Sequence, residues 1–199
     1  YENKCKIYYV LVDHNLRKNS SFEAISVKRL LKKNQINLNI LKNKEMITKN
    51  IQSEARRIRY SLLTNFCKKR KIKTILTAHN LEDQVETFFI RLSRGSGLKG
   101  LSSMKLLNKI NNQISVYRPL LDTKKQSLIK ISKTFFGVFL KDPSNKDNKY
   151  LRTKVRNLKK PLEESGIKYE QIFKSIQNLS LSKTTLEEYL NKISQELIK

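Results

Sequence analysis

The 199-residue chain is poor in the residues that define several common protein classes. Its 2 cysteines lie far apart and in no metal-ligand spacing, which argues against a disulfide framework and favours a reducing cytoplasm. The 5 glycines and 3 prolines exclude collagen-like and linker-dominated chains. No apolar run approaches the ~18 residues of a membrane span, and no secretory signal is visible. Because the first residue is Tyr1 and not Met, we expect a fragment of a longer protein.

Acidic residues are also scarce: 17 Asp and Glu stand against 42 Lys and Arg, which gives a net charge of +25. A polyanionic partner, most simply nucleic acid, explains such a charge through neutralisation of phosphates and release of counterions. A lysine-rich surface that only keeps the chain in solution explains it as well. An anionic membrane is a third explanation, but the sequence shows no helix with one basic and one aromatic face. Charge alone leaves these alternatives open.

Hydrophobic periodicity predicts strands that alternate with helices, which is typical of an α/β fold with a doubly wound, mainly parallel sheet. The continuous apolar run at residues 7–12 predicts a strand buried on both faces. After residue 145 only helical patterns follow. We therefore predict one domain over residues 1–160 and a helical extension, or the start of a second domain, over residues 161–199. The predicted strands span residues 7–12, 38–41, 73–77 and 114–117, and the predicted helices span residues 20–33, 50–69, 81–94 and 122–135.

Both histidines of the chain directly follow predicted parallel strands. His14 follows the first strand and His79 the third, and Asp13 and Asp83 belong to the same predicted edge. Ligands of open α/β sheets bind beyond the carboxyl ends of strands, so this placement predicts a ligand pocket. Surface or helix-capping histidines are the alternative. A histidine–carboxylate metal centre is a further alternative, but no local ligand spacing supports it, and we assign no metal ligand.

Four polar residues share one face of the predicted helix 81–94. Asp83, Thr87, Arg91 and Arg94 follow one another at spacings of four, four and three residues, which would direct a carboxylate into the crevice and two guanidiniums toward a polyanion. Pairing along the helix and the helix dipole explain the same stripe without a ligand.

Arginines are clustered elsewhere in a chain whose usual cation is lysine. Arg56 and Arg59 share one helix face, and Arg152 and Arg156 are one helical turn apart. Arginine binds phosphate in a planar, bidentate manner better than lysine does, so these side chains are candidate anion contacts. A solvated helix face is the alternative for each of them.

Several motifs together resemble the tRNA(Ile)-lysidine synthetases, in the order and approximate spacing of that family, over about residues 10–161. The longest stretch, residues 79–101, is the most specific part of the resemblance. Residues 77–87 form the sequence Thr-Ala-His-Asn-Leu-Glu-Asp-Gln-Val-Glu-Thr. The other matching segments are residues 12–17, 56–60, 91–101, 118–121 and 142–145, followed by Tyr150, Arg152 and Arg156.

The resemblance implies a PP-loop ATPase fold, similar to adenine nucleotide alpha hydrolases, and a two-step reaction. ATP would adenylate the C2 carbonyl oxygen of the wobble cytidine of an isoleucine tRNA and release pyrophosphate. The side-chain amine of lysine would then attack C2, and AMP would leave to give lysidine. The implied small molecules are ATP, Mg²⁺ and lysine, the implied partner is isoleucine tRNA, and the implied location is the cytoplasm. No membrane partner is expected. The sequence leaves the oligomeric state open, with a homodimer as one alternative.

The resemblance also implies roles for individual residues. Asp83 would handle lysine or contact the metal, and His79 would act beside it. The nucleotide pocket would be lined by Val12, Asp13, His14 and Thr77. Arg152 and Arg156 would face phosphate or tRNA, with Arg56, Arg59, Arg91 and Arg94 as further anion contacts.

The chain departs from the family pattern in three respects. No Ser-Gly-Gly-x-Asp-Ser pyrophosphate loop precedes Ile7, so we expect this loop to be encoded upstream and the 199-residue chain alone to be inactive with ATP. Leu11 stands where the family usually has histidine, and Asn15 where it usually has glycine. Asparagine tolerates the left-handed conformation, so the turn can persist. The family's C-terminal tRNA-binding region is not evident before Lys199.

The sequence leaves two other functions open. The missing loop and the high charge would suit a non-catalytic, basic RNA-binding module on the same fold. A related tRNA thiolase is the other alternative, but Cys5 and Cys67 do not lie at strand ends suited to sulfur transfer.

Overall fold

The computed structural model describes residues 6–17, 19–140 and 150–197 and contains strands and helices in the predicted alternation. The chain divides into two compact units. The elements are β1 (Tyr9–Asp13), α1 (Ser20–Lys33), β2 (Leu38–Lys42), α2 (Ile51–Lys69), β3 (Thr74–Leu76), α3 (Leu81–Leu92), α4 (Leu98–Leu101), β4 (Leu107–Lys109), β5 (Ser115–Tyr117), α5 (Lys125–Phe136), α6 (Leu151–Asn157), α7 (Lys159–Glu164) and α8 (Tyr169–Leu197).

The first unit, made of residues 1–75, 109–115 and 135–137, is built on a β–α–β arrangement. Strands β1 and β2 pair in parallel, with Tyr9 opposite Leu38 and Asp13 opposite Lys42, and α1 connects them. The core side chains of this unit are small or apolar: Ala24, Leu38, Ala55, Ile58, Phe66, Cys67, Ile75 and Ile114.

Strand β1 is not buried on both faces as the apolar run predicts. Tyr9 is 44% exposed, and Val10, Leu11 and Val12 are half-buried. The physical reason is that β1 pairs only with β2 within the described residues, so that it is an edge strand there. Ile7 lies before the strand and is exposed.

The remaining strands form a three-stranded sheet in the order β3–β5–β4. The amide of Ser115 donates to the Lys73 carbonyl and the amide of Thr77 donates to the Tyr117 carbonyl, a pattern that makes β3 and β5 parallel. Strand β4 joins β5 through a hairpin, which the bond from the Ile110 amide to the Ile114 carbonyl closes. Among the residues that the structure describes, two of the three strand pairings are therefore parallel, as predicted, and the third is antiparallel.

The second unit, made of residues 76–108, 116–134 and 138–199, is mainly helical. Its core lies where α3 packs on α8: Leu81, Val85, Tyr169 and Ile176 are buried together, with partly buried side chains around them. Leu81 and Val85 are four residues apart, so they lie on one face of α3. The predicted helical C-terminal region is confirmed as α6, α7 and the 29-residue α8.

No helix in the described part of the chain is both long enough and apolar enough to cross a membrane.

Candidate functional site at the amino end of helix α3

Helix α3 begins with a reciprocal pair of hydrogen bonds between Asn80 and Asp83. The Asp83 amide donates to the Asn80 side-chain oxygen at 3.0 Å, and the Asn80 amide donates to Asp83 Oδ2 at 3.1 Å. This capping box satisfies two backbone donors that would otherwise lack partners. It also fixes the Asp83 carboxylate at the positive end of the helix dipole, with its side chain 19% exposed.

Two guanidiniums from α6 face this carboxylate. Arg152 Nη2 and Arg156 Nη2 each lie 3.9 Å from Asp83 Oδ1. Both arginines also pair with Glu86, one turn further along α3: Arg156 Nε donates to Glu86 Oε1 at 2.6 Å, and Arg152 Nε lies 2.9 Å from Glu86 Oε2. Glu86 is 3% exposed, so it is a buried charge that the two guanidiniums compensate. We call Asp83, Glu86, Arg152 and Arg156 the α3–α6 charge cluster.

A third acidic residue of α3, Glu82, has basic and backbone partners of its own. Glu82 accepts a hydrogen bond from the Lys125 amide at 2.8 Å and lies 3.5 Å from Lys159 Nζ. Lys159 also lies over the ring of Tyr169. Burial, followed by the nearby carboxylates of Glu86 and other glutamates, raises the pKa of Tyr169 to about 12, so its hydroxyl stays protonated. Both acidic and basic side chains therefore surround the start of α3.

His79 immediately precedes the capping box. Its Nδ1 lies 2.9 Å from the Thr77 hydroxyl, which orients the imidazole, and both residues are half-buried. The turn from β3 into α3 thus presents Thr77, His79 and Asp83 within seven residues of the chain.

In the first unit, His14 contacts Arg59. Arg59 Nε and Nη2 lie 3.3 and 3.2 Å from His14 Nε2, so Nε2 acts as the acceptor and the proton belongs on Nδ1. Burial and the positive charge of Arg59 lower the pKa of His14, and the opposing effect of Asp13 does not cancel them. His14 is therefore a neutral imidazole. Its Nδ1 is buried without a hydrogen-bond partner among the described residues.

Asp13 holds the turn that follows β1. It is 4% exposed and accepts hydrogen bonds from the Asn15 amide at 2.9 Å and the Ser21 hydroxyl at 2.8 Å. Burial by itself would raise the pKa of Asp13, but these hydrogen bonds and the charge of Lys42 outweigh it, and the pKa is lowered. Asn15 has φ = 55°, which is the left-handed conformation that asparagine was expected to tolerate there.

The other candidate residues have varied surroundings. Val12 is half-buried in β1. Arg56 is exposed and lies over the ring of Tyr60. Arg91 donates from Nη1 to the carbonyl oxygens of Gly100 and Ser103, at 2.7 and 2.9 Å, which anchors the segment after α3. Arg94 is exposed and follows the end of the helix, since α3 ends at Leu92 and not at residue 94.

The structure thus brings together Asp83, Arg152 and Arg156, joins Thr77 to His79, and joins His14 to Arg59. His14 and His79 belong to different units, and the prediction that they share one pocket rim stays a prediction. The segment 142–145 lies outside the described residues.

Sequence reasoning missed Glu82 and Glu86 as members of the site. A usable signal was present: Glu82 and Glu86 are four residues apart on α3, as Arg152 and Arg156 are on α6. Two such pairs on facing helices match in spacing and charge.

No group of three or more potential metal-binding side chains occurs within residues 6–17, 19–140 and 150–197. Asp83 Oδ1 is the carboxylate oxygen at this site that the capping box does not use. Mg²⁺ bound with a nucleotide takes most of its ligands from phosphate oxygens and water, so one such oxygen fits its requirements.

Comparison with known proteins identifies the family of the chain. Residues 1–162 match the family model of the PP-loop domain, and the chain belongs to that family. It is 37% identical over 198 residues to the tRNA(Ile)-lysidine synthase of Orientia tsutsugamushi, which covers 98% of this chain and 44% of that protein. It is 40% identical over 174 residues to the tRNA(Ile)-lysidine synthase of Wolbachia pipientis wMel, covering 86% of this chain and 40% of the relative. The chain therefore spans about two fifths of the length of these relatives.

A solved structure confirms the fold class. The U34-tRNA thiolase NcsA from Methanococcus maripaludis, with its 4Fe-4S cluster, superimposes with a TM-score of 0.66 at 15% identity, over 86% of this chain and 61% of that chain. At this identity the likeness concerns the fold alone. In the present chain Cys67 is a buried free thiol, and Cys5 lies outside the described residues.

Proposed function

We propose that this chain is the ATP-dependent catalytic part of a tRNA-modifying ligase that joins lysine to C2 of the wobble cytidine of an isoleucine tRNA. The observation that carries the proposal is the α3–α6 charge cluster. It places a partly exposed carboxylate beside two guanidiniums, in a chain whose relatives are tRNA(Ile)-lysidine synthases. A carboxylate can bind an amine, and guanidiniums form charge-assisted hydrogen bonds with phosphates.

In the first step the C2 carbonyl oxygen of cytidine attacks the α-phosphorus of ATP, and pyrophosphate leaves. Negative charge develops on the phosphate oxygens, and Arg152 and Arg156 are the cations that we assign to it. The residues that we propose for nucleotide binding are Thr77 and His79 in the second unit and Val12, Asp13 and His14 in the first. When bound, Mg²⁺ would neutralise phosphate charge, with Asp83 Oδ1 as the oxygen that this site can contribute.

In the second step the side-chain amine of lysine forms a bond to C2, and the bond from C2 to the oxygen of AMP breaks. Asp83 attracts the amine, orients it, and accepts the proton that nitrogen loses. A carbonyl oxygen is a poor leaving group and AMP is a good one, which is why the adenylation must come first. We assign Asp83 to lysine and not to tRNA binding.

Further anion contacts, with Arg56, Arg59, Arg91 and Arg94, belong to the same proposal and would hold the tRNA. The same proposal includes a cytoplasmic location, a homodimer, a catalytic domain over residues 1–160 and a helical region over residues 161–199. That the 199-residue chain alone does not turn over ATP also stays a prediction.

The test uses the whole product of the gene that contains this chain, with ATP, radiolabelled lysine and an isoleucine tRNA transcript. We expect one lysine per tRNA, with one AMP and one pyrophosphate released, and no label without ATP. A transcript in which the wobble cytidine is replaced by uridine is the control and accepts no lysine.

Two other outcomes would overturn the proposal. Binding of tRNA without any lysine transfer would indicate a non-catalytic RNA-binding module. Transfer of sulfur in place of lysine would indicate a thiolase.

A further inference from the structure

A groove in the first unit is lined by none of the residues that are assigned a role above. It has a volume of about 630 Å³ and runs between the end of α2 and the turn of the β4–β5 hairpin. Its lining residues come from two short segments of one compact unit. They are Cys67, Lys68, Lys71, Ile72, Lys73, Asn112, Gln113 and Ile114.

The charge of this groove is positive and uncompensated. Among the described residues, Lys68, Lys71 and Lys73 form no ion pair. The sequence contains no aspartate or glutamate in residues 55–81 or 87–121, the two stretches from which the lining comes. Three lysines in six residues therefore face a groove without a carboxylate in either wall.

The walls of the groove are held by backbone structure. At the end of α2 the Ile72 amide donates to the Cys67 carbonyl and the Lys71 amide donates to the Lys68 carbonyl, which is a Schellman motif with Lys71 in the left-handed conformation at φ = 56°. At the hairpin, Asn111 Oδ1 accepts the amides of Gln113 and Ile114.

The floor is neutral and the rim is polar. Cys67 and Ile114 are buried, and burial raises the pKa of the Cys67 thiol, so the floor carries no charge. Asn112 and Gln113 are exposed on the hairpin turn, opposite the lysines. Lysine and amide side chains are the groups that hold phosphate and sugar oxygens.

We propose that this groove binds the sugar–phosphate backbone of an RNA. The lysines act as point charges on successive phosphates, and the amides of Asn112 and Gln113 bond to phosphate or 2′-hydroxyl oxygens. The groove has no aromatic side chain on which a base could stack, so binding there is independent of sequence. That the RNA is a tRNA rests on the proposed function, whereas backbone binding itself does not.

The composition favours RNA over an anionic membrane. Peripheral membrane binding needs apolar or aromatic side chains that insert among the lipids. The groove is concave, and its rim consists of lysines and amides.

The first experiment measures binding of the 199-residue chain to an unmodified tRNA transcript by fluorescence anisotropy, from about 50 to 200 mM salt. The groove variant replaces three lysines, Lys68→Gln, Lys71→Gln and Lys73→Gln. We expect its affinity to fall by about tenfold or more at low salt, and the slope of log K against log salt to become shallower by about 2.

The matched control removes the same charge from an exposed face of α1 in the same unit. It carries Lys28→Gln, Lys32→Gln and Lys33→Gln. We expect a loss of less than about threefold and a nearly unchanged slope, because these lysines act only through the general field. Equal losses in the two variants would overturn the proposal.

Two competition measurements distinguish RNA from other anionic ligands of the groove. Inorganic phosphate at millimolar concentration should compete only weakly with the tRNA. Full competition would show that the groove is a site for a free anion. Vesicles containing phosphatidylserine should not compete with the tRNA, and groove-dependent vesicle binding would favour a membrane instead. Because none of these arms measures lysine transfer, their failure leaves the proposed ligase activity untouched.

A single substitution provides a second test, in which weaker tRNA binding cannot result from a less stable fold. Glycine adopts the left-handed conformation without strain, so Lys71→Gly should raise the Tm by about 2–4 °C while it weakens tRNA binding. Gln35 occupies the same position at the end of α1, with φ = 58°, and Gln35→Gly should raise the Tm equally without affecting binding. A Lys71→Gly chain that binds tRNA as tightly as the Gln35→Gly chain would contradict the proposal.

Discussion

At the scale of single residues, Glu86 holds the candidate site together. Its carboxylate is buried and compensates two guanidiniums that also face Asp83, so it is a positioning residue for Arg152 and Arg156. Burying a carboxylate is costly unless partners surround it, and here the partners come from another helix. The pair of contacts thereby ties α6 to α3.

Glu86→Gln should lower the free energy of unfolding by about 1–3 kcal/mol, because two partly buried guanidiniums lose their charged partner. Urea denaturation measures this loss. Glu163→Gln is the control, since Glu163 forms only an exposed pair with Lys159 and should change stability by less than about 0.5 kcal/mol. Equal stability of the two variants would show that the charge cluster is not structural.

His14 predicts how stability depends on pH. Its pKa in the folded chain lies below the ordinary value of 6.5, so the unfolded chain binds a proton more readily. Stability should therefore fall as the pH drops below about 6.5, and it should stop falling once folded His14 also protonates. His14→Gln should remove this slope. Unfolding measured between pH 8 and 5 gives the answer, and an unchanged slope in the variant would refute the assignment.

Asp13 also makes stability fall as the pH drops, but over a lower pH range than His14 does. Its lowered pKa contributes stability that is present above the unfolded value near 4 and is lost as the pH falls through the folded value. The two ranges are distinct, so a loss that begins only below pH 4 belongs to Asp13 and not to His14.

At the scale of elements, the start of α3 depends on its capping box. Asn80→Ala removes the side-chain acceptor of the Asp83 amide and should cost about 1 kcal/mol of stability, or about 2–4 °C in Tm. Asn19 occupies the same position at α1 but makes no side-chain capping bond, so Asn19→Ala should have a much smaller effect. Thermal unfolding of the two variants compares them directly, and equal shifts would contradict the assigned role of the box.

The periodic elements were largely predictable from the sequence. Helix α1 spans Ser20–Lys33 as predicted, and α2 starts one residue later than predicted, because long amphipathic patterns define helices well. Strand β4 was not predicted: its three residues are all exposed, so no alternation of apolar and polar residues marks it. The helix predicted from residue 122 starts at Lys125, since residues before it form a turn that local patterns do not distinguish.

At the scale of the whole molecule, the candidate site depends on contacts that no local pattern encodes. Arg156 and Glu86 are 70 residues apart in the sequence, so only the packing of α6 against α3 makes them partners. The sequence predicted Asp83, Arg152 and Arg156 as candidate site residues, from their spacing and type and from the family resemblance. It did not predict that Glu86 joins them, because the spacing that Glu82 and Glu86 share with the two arginines is informative only when the two helices are known to face each other.

The chain has a net charge of +25, and its basic side chains differ in whether carboxylates lie beside them. Around α3 the arginines are matched by carboxylates, whereas the groove beside α2 has lysines alone. This contrast fits the two proposals, namely a catalytic site with paired charges around α3 and a groove whose unpaired lysines attract a polyanion.

The most direct test of the account separates the two chemical steps in an Asp83→Asn variant of the whole gene product. The asparagine oxygen can still accept the Asn80 amide, so the capping box and the fold should persist. With ATP and tRNA we expect lysine transfer to fall by at least about a hundredfold, the size typical of a lost general base. Pyrophosphate release should fall far less, because phosphate oxygens and water supply most of the ligands of Mg²⁺. Asp122→Asn, at an exposed carboxylate, is the control and should transfer lysine normally. Normal lysine transfer by the Asp83→Asn variant would contradict the account.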